Sequence, residues 1–301
     1  MSRWIKELGK ALWLDYVQMI AASAARLLDF HIRFGVSTIY FPAKHTASSL
    51  PIDIVIPVID KDSETLPFVI DSARANIGHP IKDIYLVCPG SSVEVRRIGH
   101  EKNCKIVDEQ DLVPIGPRDI TYVWQGHDRS GWMYQQFLKW SGWKFCTQDH
   151  YLVIDSDTVF LRPQVFEIGG KLVFDFCDEF HKPYFRAFEK IFRIRPRAPL
   201  SFTSHHALID TTIMAQLIAD IEARHRKPWF EAIIATIDPD EMSCISDYDN
   251  YAQYVFETLP SKMRVRYWFN KSLSRKLIGD FDRLTKKYGR RYSTLSFHSY
   301  K

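Results

Sequence analysis

The chain contains few cysteines, and none of them are paired in sequence. Five occur in 301 residues, and no two form a C-x-x-C motif. An odd, dispersed set of this kind argues against a disulfide framework and against a cysteine-rich zinc cluster. A reducing compartment is therefore predicted, and the cytoplasm is the expected location. The five are Cys88, Cys104, Cys146, Cys177 and Cys244.

Long apolar runs and a strong charge of one sign are also missing. No stretch of ~20 uncharged apolar residues is present, so no helix is predicted to span a bilayer. Asp15, Arg26 and Asp29 interrupt the N-terminal apolar residues, which argues against a cleavable signal peptide. A net charge of +4 is too small to indicate a nucleic-acid partner. With 46% hydrophobic residues, the sequence predicts a globular protein with a sizeable core.

Residues 1–35 show the spacing of an amphipathic helix. Basic residues such as Lys6 and Lys10 recur at helical intervals, and apolar residues such as Leu8 and Leu12 fill the other side. Two positions are open for this helix: its apolar face packs on the protein core or on a second copy, or it lies in a membrane interface. Residues 36–50 are predicted to be a connecting loop.

Residues 51–301 are predicted to form one α/β domain. Strands and helices alternate through its first half, which favours a doubly wound sheet with flanking helices and largely parallel strands. Ligands bind such sheets at the carboxyl ends of the strands. The predicted strands are 52–58, 81–90, 104–111, 120–124, 151–154, 171–179, 201–210 and 263–268, and the predicted helices are 67–76, 131–143, 211–225, 229–236 and 247–258.

Two aspartates follow one of the buried strands directly. The uncharged run Tyr151–Ile154 ends at Asp155, and Asp157 comes two residues later. Two adjacent carboxylates repel each other unless a cation lies between them, and Mg²⁺ or Mn²⁺ is usually held by one or two carboxylates together with substrate phosphates. The pattern therefore predicts a divalent metal site. The plain alternative is a turn, since aspartate is common in turns for its bonds to nearby backbone amides.

A phosphatase is a second interpretation of the same residues. D-x-D-x-[TV] also fits the first motif of haloacid-dehalogenase-like enzymes, in which the first aspartate, here Asp155, is the nucleophile. That motif should open its domain, whereas about 100 residues of strand and helix pattern precede it here. Residues 278–284 also lack a convincing second acidic motif. A protein that binds a nucleotide sugar without catalysis is a third possibility.

The combination of five segments resembles the bacterial GT-A-type glycosyltransferases grouped as a DUF6492-like family. These segments are RSGWMYQQFLKW (129–140), YLVIDSDTVFLRP (151–163), SFTSHHALID (201–210), SDYDNYAQYV (246–255) and SFHSY (296–300). The resemblance covers roughly residues 50–300. It implies a GT-A-like fold and transfer of a sugar from a nucleotide-diphosphate donor, with a UDP-sugar favoured, to a glycan or a lipid-linked glycan. Bacterial cell-surface polysaccharide synthesis is the expected setting.

The same resemblance implies a set of metal ligands. GT-A enzymes chelate a divalent cation through a D-x-D motif and often add a histidine near the C-terminus. Asp155 and Asp157 match the motif, and His298 matches the histidine. An imidazole beside carboxylates suits Mn²⁺ better than Ca²⁺, so Mn²⁺ or Mg²⁺ is expected.

A second acidic pair begins the predicted helix at 247–258. GT-A enzymes carry an acidic motif near the acceptor at this place, which implies that Asp249 or Asp247 is the general base for the acceptor hydroxyl. The alternative is capping of the helix N-terminus, where a carboxylate accepts backbone N–H bonds. We expect Asp247 to be the cap and Asp249 to take part in chemistry.

Two further segments are expected to bind the donor. In the helix after residue 130, the resemblance places Trp132, Gln135 and Gln136 on a wall of the donor site, and Arg129 could meet the diphosphate. Buried amides need partners, so two glutamines in an apolar helix call for such an explanation. After the first strand, the nucleoside-binding position falls on Pro57, Val58 and Asp60, and Ser156 lies between the two metal-binding aspartates. The alternative for Pro57, Val58 and Asp60 is an ordinary turn after a strand. The alternative for Arg129 is a solvated position on the surface.

Two remaining features have open roles. His205 and His206 lie on a predicted strand, and we expect one to point into the core and the other towards the acceptor cleft. Residues 271–291 are rich in lysine and arginine. A solvated helix face is the simple interpretation of this segment. Together with the N-terminal helix, it could instead bring the protein to the anionic inner face of the cytoplasmic membrane.

Overall fold

A computed structural model describes residues 47–177, 181–198 and 201–299 of the chain. The helix predicted at 1–35 and nearly all of the predicted loop at 36–50 lie outside the described residues. Within them, no helix is long and apolar enough to cross a membrane.

The described residues form thirteen strands. They are β1 (Ile52–Pro57), β2 (Ile81–Cys88), β3 (Lys105–Asp108), β4 (Val123–Trp124), β5 (His127–Asp128), β6 (His150–Ile154), β7 (Thr158–Phe160), β8 (Glu167–Ile168), β9 (Lys171–Phe176), β10 (His206–Asp210), β11 (Met263–Tyr267), β12 (Asn270–Ser274) and β13 (Thr294–His298). The α-helices that the structure describes are α1 (Leu66–Asn76), α2 (Val93–Glu101), α3 (Ser130–Trp140), α4 (Lys182–Phe192), α5 (Thr211–His225), α6 (Trp229–Ile234), α7 (Asp247–Thr258) and α8 (Phe281–Tyr288).

The central sheet has the strand order β10-β6-β1-β2-β3. Strands β6, β1, β2 and β3 run parallel, and β10 pairs with β6 in the antiparallel direction. All six residues of β1 are buried, as expected for a central strand that is covered on both faces. The predicted α/β class with a mostly parallel, mixed sheet is confirmed.

Besides the two-stranded sheet β4-β5, two three-stranded sheets accompany the central one. One has the order β11-β9-β8, and the other has the order β12-β13-β7. Strand β7 begins immediately after the D-x-D segment, and it pairs with β13 so that Ser296 lies opposite Thr158. This antiparallel pairing brings the C-terminal strand to the end of β6, although about 140 residues separate the two segments in sequence.

Several predicted boundaries are wrong, and helix α4, of 11 residues, was not predicted. The strand predicted at 201–210 begins only at His206, and the one predicted at 120–124 is reduced to the two residues of β4. Strand β13 and helix α2 were not predicted. Five-residue strands such as β13 carry too little pattern to be distinguished from loops, because their pairing partners decide whether they form.

Candidate functional site

The order in which strands are added to the sheet changes direction at β1. From β1 the chain proceeds to β2 and β3 on one side, and then returns to place β6 on the other side of β1. In open α/β sheets, such a switch point leaves a crevice at the carboxyl ends of the two strands. Asp155 follows β6 at that crevice, and Val58 follows β1.

A tight turn holds the two aspartates between β6 and β7. The amide of Thr158 donates to the carbonyl of Asp155 at 3.1 Å, which closes the turn. The carbonyl of Ser156, at the middle of the turn, accepts a hydrogen bond from Thr65 Oγ1 at 2.7 Å. Ser156 is buried, so the contact that the structure gives it fixes the turn. Donor binding by Ser156 stays a prediction.

Strand pairing places His205 beside Asp155. His206 pairs with Ile154, so the next residues along, His205 and Asp155, are also opposite each other, and the amide of Asp155 donates to the carbonyl of His205 at 2.9 Å. His205 has a φ of 57°, a left-handed conformation that costs energy for a residue with a Cβ. Such strain is concentrated at functional sites.

Asp155, Asp157 and His205 form a candidate metal centre. Each offers one ligand atom, and these atoms all lie within 4.8 Å of one another. The Nδ1 atom of His205 is 3.7 Å from Oδ2 of Asp155, which is beyond hydrogen-bond distance but suits two ligands of one ion. Burial lowers the pKa of His205 although both carboxylates oppose the shift, so the neutral, metal-binding imidazole is favoured. Two carboxylates and one imidazole form a donor set that fits Mn²⁺ or Mg²⁺.

The other oxygen of Asp155 is bound by two protein donors. Lys139 Nζ lies 2.7 Å from Oδ1, and the Tyr248 hydroxyl donates to the same oxygen at 2.7 Å. Burial raises the pKa of Asp155, but Lys139 and His205 outweigh it, and the net pKa lies below the ordinary value. Burial likewise lowers the pKa of Lys139, and Asp155 and Asp247 reverse this effect. Asp155 and Lys139 are therefore a charged pair.

Asp247 contacts the same lysine from the start of α7. Its Oδ1 atom is 3.4 Å from Lys139 Nζ, and its side chain is buried. Burial raises the pKa of Asp247 to about 6, although Lys139 opposes the shift. The prediction that Asp247 caps α7 is wrong: Ser246 is the cap, and its hydroxyl accepts from the amide of Asp249 at 3.2 Å.

Asp249 faces a different part of the molecule. It is 2% exposed, and its Oδ1 atom accepts a hydrogen bond from the amide of Phe202 at 2.9 Å. The carboxylate thus supports the backbone of the loop that leads to His205. Its proposed part in chemistry gains no support from this contact.

His298 lies next to Asp157 but does not join the three-residue cluster. Its Nδ1 atom is 3.2 Å from Oδ2 of Asp157, and its Nε2 atom is 3.3 Å from the hydroxyl of Ser272. The amide of Phe297 also donates to the carbonyl of Asp157 at 2.8 Å. Strand β13 therefore supports Asp157 with both backbone and side chain. Direct ligation by His298 stays a prediction.

A cleft of about 480 Å³ lies over the carboxyl ends of β1 and β2, at the same edge of the sheet where Asp155 follows β6. Its lining includes five residues predicted to bind the donor, namely Pro57, Val58, Arg129, Trp132 and Gln135. Arg129 stacks over the Trp132 ring at 4.6 Å and donates through Nε to the carbonyl of Met242 at 2.9 Å. It therefore connects the start of α3 to the loop before α7.

Two residues predicted to bind the donor make structural contacts instead of lining the cleft. Asp60 accepts hydrogen bonds from the amides of Val93 and Val95 at the start of α2, at 3.2 and 3.1 Å. Gln136 is buried, and its side-chain oxygen accepts from the amide of Asp247 at 3.1 Å. Gln136 therefore has the partner that a buried amide needs, and Asp60 caps the exposed start of α2.

Lys139 and Tyr248 were not among the predicted site residues. The lysine occurs in an apolar helix, where a buried cation needs a buried anion, and this was the signal that could have indicated it. For the two histidines, the expectation that one points into the core is confirmed. His206 is buried and lies 2.7 Å from Asp175, whereas His205 faces the metal centre.

Comparison with protein families assigns the chain. A model of the family of unknown function DUF6492 matches residues 52–276, about three quarters of the chain. The protein belongs to this family, as its motifs predict. None of the curated proteins matches the chain.

Solved structures similar to this one include three glycosyltransferases or synthases. The galactosyltransferase LgtC, solved with donor and acceptor sugar analogues, is 14% identical and covers 82% of this chain and 87% of its own, with a TM-score of 0.42. Mouse xyloside xylosyltransferase 1 is 13% identical over 83% and 99%, with a TM-score of 0.47. Glucosyl-3-phosphoglycerate synthase from Mycobacterium tuberculosis, solved with Mn²⁺ and UDP, is 13% identical over 76% of each chain, with a TM-score of 0.41. At this distance, function has to be argued from the chain's own residues.

Proposed function

We propose that the protein is a metal-dependent glycosyltransferase. It moves a sugar from a nucleotide-diphosphate donor, with a UDP-sugar favoured, to a glycan or glycolipid acceptor, and cell-surface polysaccharide synthesis is the setting we favour. The observation that carries the proposal is the position of the Asp155, Asp157 and His205 cluster. It lies at the carboxyl end of β6, on the switch point of the sheet, and a cleft of about 480 Å³ opens at the same edge, at the carboxyl end of the neighbouring strand β1.

In this proposal the cluster and the cleft bind different parts of the donor. Asp155, Asp157 and His205 would hold Mn²⁺ or Mg²⁺, which when bound offsets the negative charge of the departing nucleoside diphosphate. Pro57 and Val58 line the part of the cleft at the end of β1, which we assign to the base and ribose. Trp132 and Gln135 form the facing wall from α3, and Arg129 adds positive charge to that wall.

We assign the acceptor-side carboxylate to Asp247 instead of Asp249. Asp247 and Asp155 both contact Lys139, so Asp247 lies on the side of α7 that faces the metal centre. Its raised pKa of about 6 suits a group that accepts a proton near neutral pH. Asp249 is occupied by the Phe202 amide. Loss of activity in Asp249→Asn but not in Asp247→Asn protein would contradict this assignment.

The third ligand of the metal can be tested separately. We place His205 in the ligand set and His298 behind Asp157, where it donates to Oδ2. Direct ligation by His298 would require its Nδ1 atom to share the ion with Asp157. His205→Ala protein should bind Mn²⁺ more weakly than His298→Ala protein, and the reverse order would favour His298 as the ligand.

The activity itself has a direct test. Purified protein is incubated with a panel of nucleotide sugars and Mn²⁺, and the release of nucleoside diphosphate is measured with and without acceptor sugars. EDTA should abolish the release, and added Mn²⁺ should restore it. Hydrolysis of phosphate esters without sugar transfer would favour the phosphatase alternative. Metal-dependent binding of donors without turnover would favour a binding protein.

A membrane surface is the partner we propose for the basic C-terminal segment. On α8 and just beyond it, Arg283, Lys286, Lys287 and Arg290 are exposed at spacings of three, four and seven residues, whereas Leu284 is buried. One face of this segment is therefore positively charged, and each cation near an anionic surface is worth about 1 kcal/mol. Co-sedimentation with phosphatidylserine vesicles should fall in a Lys286→Glu/Lys287→Glu variant. Unchanged binding of that variant would contradict this part of the proposal.

A further inference from the structure

The carboxylate of Asp155 is asymmetric in its contacts. Lys139 Nζ and the Tyr248 hydroxyl both lie 2.7 Å from Oδ1. A carboxylate oxygen has two lone pairs, so these two donors use the acceptor capacity of Oδ1. Oδ2 receives no hydrogen bond from the residues that the structure describes, and its neighbour is His205 Nδ1 at 3.7 Å.

Packing holds the two donors in place. Lys139 is 3% exposed, and its ammonium lies 4.2 Å from the centre of the Tyr248 ring. Asp247 balances the lysine from the other side at 3.4 Å. Tyr248 is also buried, and it belongs to the first turn of α7. Neither donor can turn away into water, so Oδ1 stays bound whether or not a cation approaches Oδ2.

This asymmetry limits how Asp155 can bind a metal. A bidentate carboxylate directs both oxygens at the ion, which would bring the cation towards Oδ1 and the Lys139 ammonium. Ca²⁺ takes six to eight oxygens at about 2.3–2.6 Å and commonly uses bidentate carboxylates, whereas Mg²⁺ demands octahedral geometry at about 2.0–2.1 Å. One-oxygen ligation therefore suits the smaller ions.

We propose that Lys139 and Tyr248 are positioning residues that restrict Asp155 to one-oxygen ligation and thereby make the site selective for Mn²⁺ or Mg²⁺ over Ca²⁺. The inference rests on the metal site in the proposed function. It concerns which ion the site accepts, so it can fail while the metal site stands.

The experiment compares the dissociation constants of Mn²⁺ and Ca²⁺ by calorimetry, for each ion alone and in the presence of UDP. Tyr248→Phe removes one donor. Lys139→Met/Asp247→Asn removes the other, keeps the net charge of the site unchanged and does not leave the Asp247 carboxylate buried without its lysine. The triple variant removes both donors. Because Mn²⁺ and Ca²⁺ carry the same charge, the ratio of their dissociation constants reports geometry and cancels the general electrostatic effect.

We expect the wild-type protein to bind Mn²⁺ much more tightly than Ca²⁺. In the triple variant the preference should fall by about tenfold or more, a change in the range seen when the partners of metal ligands are removed. Each partial variant should give a smaller decrease. This fall in preference should come from tighter Ca²⁺ binding. A merely structural role for the two donors would instead weaken the binding of both ions alike and leave the ratio of their dissociation constants unchanged.

Matched controls lie close by. Tyr254→Phe removes a hydroxyl from the same helix, where it donates to Asp220 at 2.9 Å, and Lys144→Met removes a lysine that binds the carbonyl of Leu112. Both should retain the wild-type ratio. A triple variant with the wild-type ratio would overturn the inference and leave the metal site intact. Wild-type protein that binds neither ion, with or without UDP, would overturn the proposed function together with the inference.

Discussion

His205 and His206 are neighbours in sequence, yet they belong to two clusters with opposite properties. His206 lies 2.7 Å from Asp175, and Arg266 binds the same carboxylate with Nε at 2.6 Å and a second nitrogen at 2.9 Å. His205 lies beside Asp155, where one oxygen has no hydrogen-bond donor among the described residues. We call these the core cluster (Asp175, His206 and Arg266) and the metal cluster (Asp155, Asp157 and His205).

The difference lies in how completely each carboxylate is satisfied. In the core cluster, Arg266 binds both oxygens of Asp175 and His206 adds a further contact. Burial raises the pKa of Asp175, but Arg266 and His206 reverse this effect and hold it well below the ordinary value. The metal cluster has a second aspartate in place of the arginine, so it has more negative charge, and Oδ2 of Asp155 is an unused acceptor. A carboxylate with partners on both oxygens, such as Asp175, is suited to a structural role, whereas the free acceptor of Asp155 leaves room for the cation that we propose.

The largest expected effect is the loss of activity when both aspartates of the metal cluster are replaced. Asp155→Ala/Asp157→Ala protein should lose donor turnover by about 10³-fold, because a bound metal contributes several kcal/mol to the reaction. The measurement is release of nucleoside diphosphate with Mn²⁺ present. Asp280→Ala/Asp282→Ala, which removes a D-x-D from the exposed start of α8, is the matched control and should retain activity. Robust turnover by the first variant would refute the metal site.

The second prediction concerns the core cluster. Asp175→Ala should lower the free energy of unfolding by about 3–5 kcal/mol, because it leaves the Arg266 charge largely buried without its partner. Urea denaturation followed by circular dichroism measures this loss. Asp175→Leu/Arg266→Met removes both charges and should recover part of the stability. If Asp175→Ala were as stable as the wild type, the two clusters would not differ as described.

The third prediction compares the two histidines directly. His205→Ala should weaken Mn²⁺ binding by about 10- to 100-fold, the usual range for a change at a metal site, and should change stability little. His206→Ala should lower the free energy of unfolding by about 1–3 kcal/mol, because it removes a buried partner of Asp175. Calorimetric titration and urea denaturation of both variants test the pair. Equal effects of the two substitutions on metal binding would contradict the division.

The smallest effect is a difference in pH dependence. Burial raises the pKa of Asp247 from 3.8 to about 6 in the folded protein. A carboxyl with a raised pKa keeps its proton longer when folded, so the stability contribution of Asp247 falls as pH rises from about 4 to about 6. Asp175 has the opposite sign, because its lowered pKa adds stability above about pH 4 that is lost on acidification.

Asp247→Asn removes the first of these contributions. The difference in free energy of unfolding between the Asp247→Asn variant and the wild type should increase in favour of the variant by about 1–3 kcal/mol between pH 4 and pH 7. The reason is that each unit of pKa shift corresponds to about 1.4 kcal/mol. Urea denaturation at several pH values measures the difference. A difference that stays constant with pH would show that Asp247 titrates alike in the folded and unfolded chains.

The D-x-D pattern shows how far the sequence alone can lead. It occurs five times, at 60–62, 155–157, 238–240, 247–249 and 280–282. The first instance also follows a central strand, but Asp60 binds backbone amides of α2, and Asp62 pairs with Arg275 at 2.6 Å. Only the strand before Asp155, its uncharged character and the family resemblance favoured the second instance. The second instance differs because Oδ2 of Asp155 has no hydrogen-bond donor among the described residues and lies beside His205.

Local pattern by itself determined much of this protein. Buried strands, longer helices and the aspartates after β6 follow from apolar periods and from the charge that interrupts them, because these depend on neighbours a few residues apart. Tertiary structure alone decided which groups meet Asp155. The antiparallel pairing of β10 with β6 brings His205 to it, and the packing of α3 against α7 brings Lys139 and Tyr248 to the same carboxylate. Those partners are about 16 to 90 residues away in sequence. At such separations, strand pairing and burial determine which residues are in contact, and local conformational preference does not.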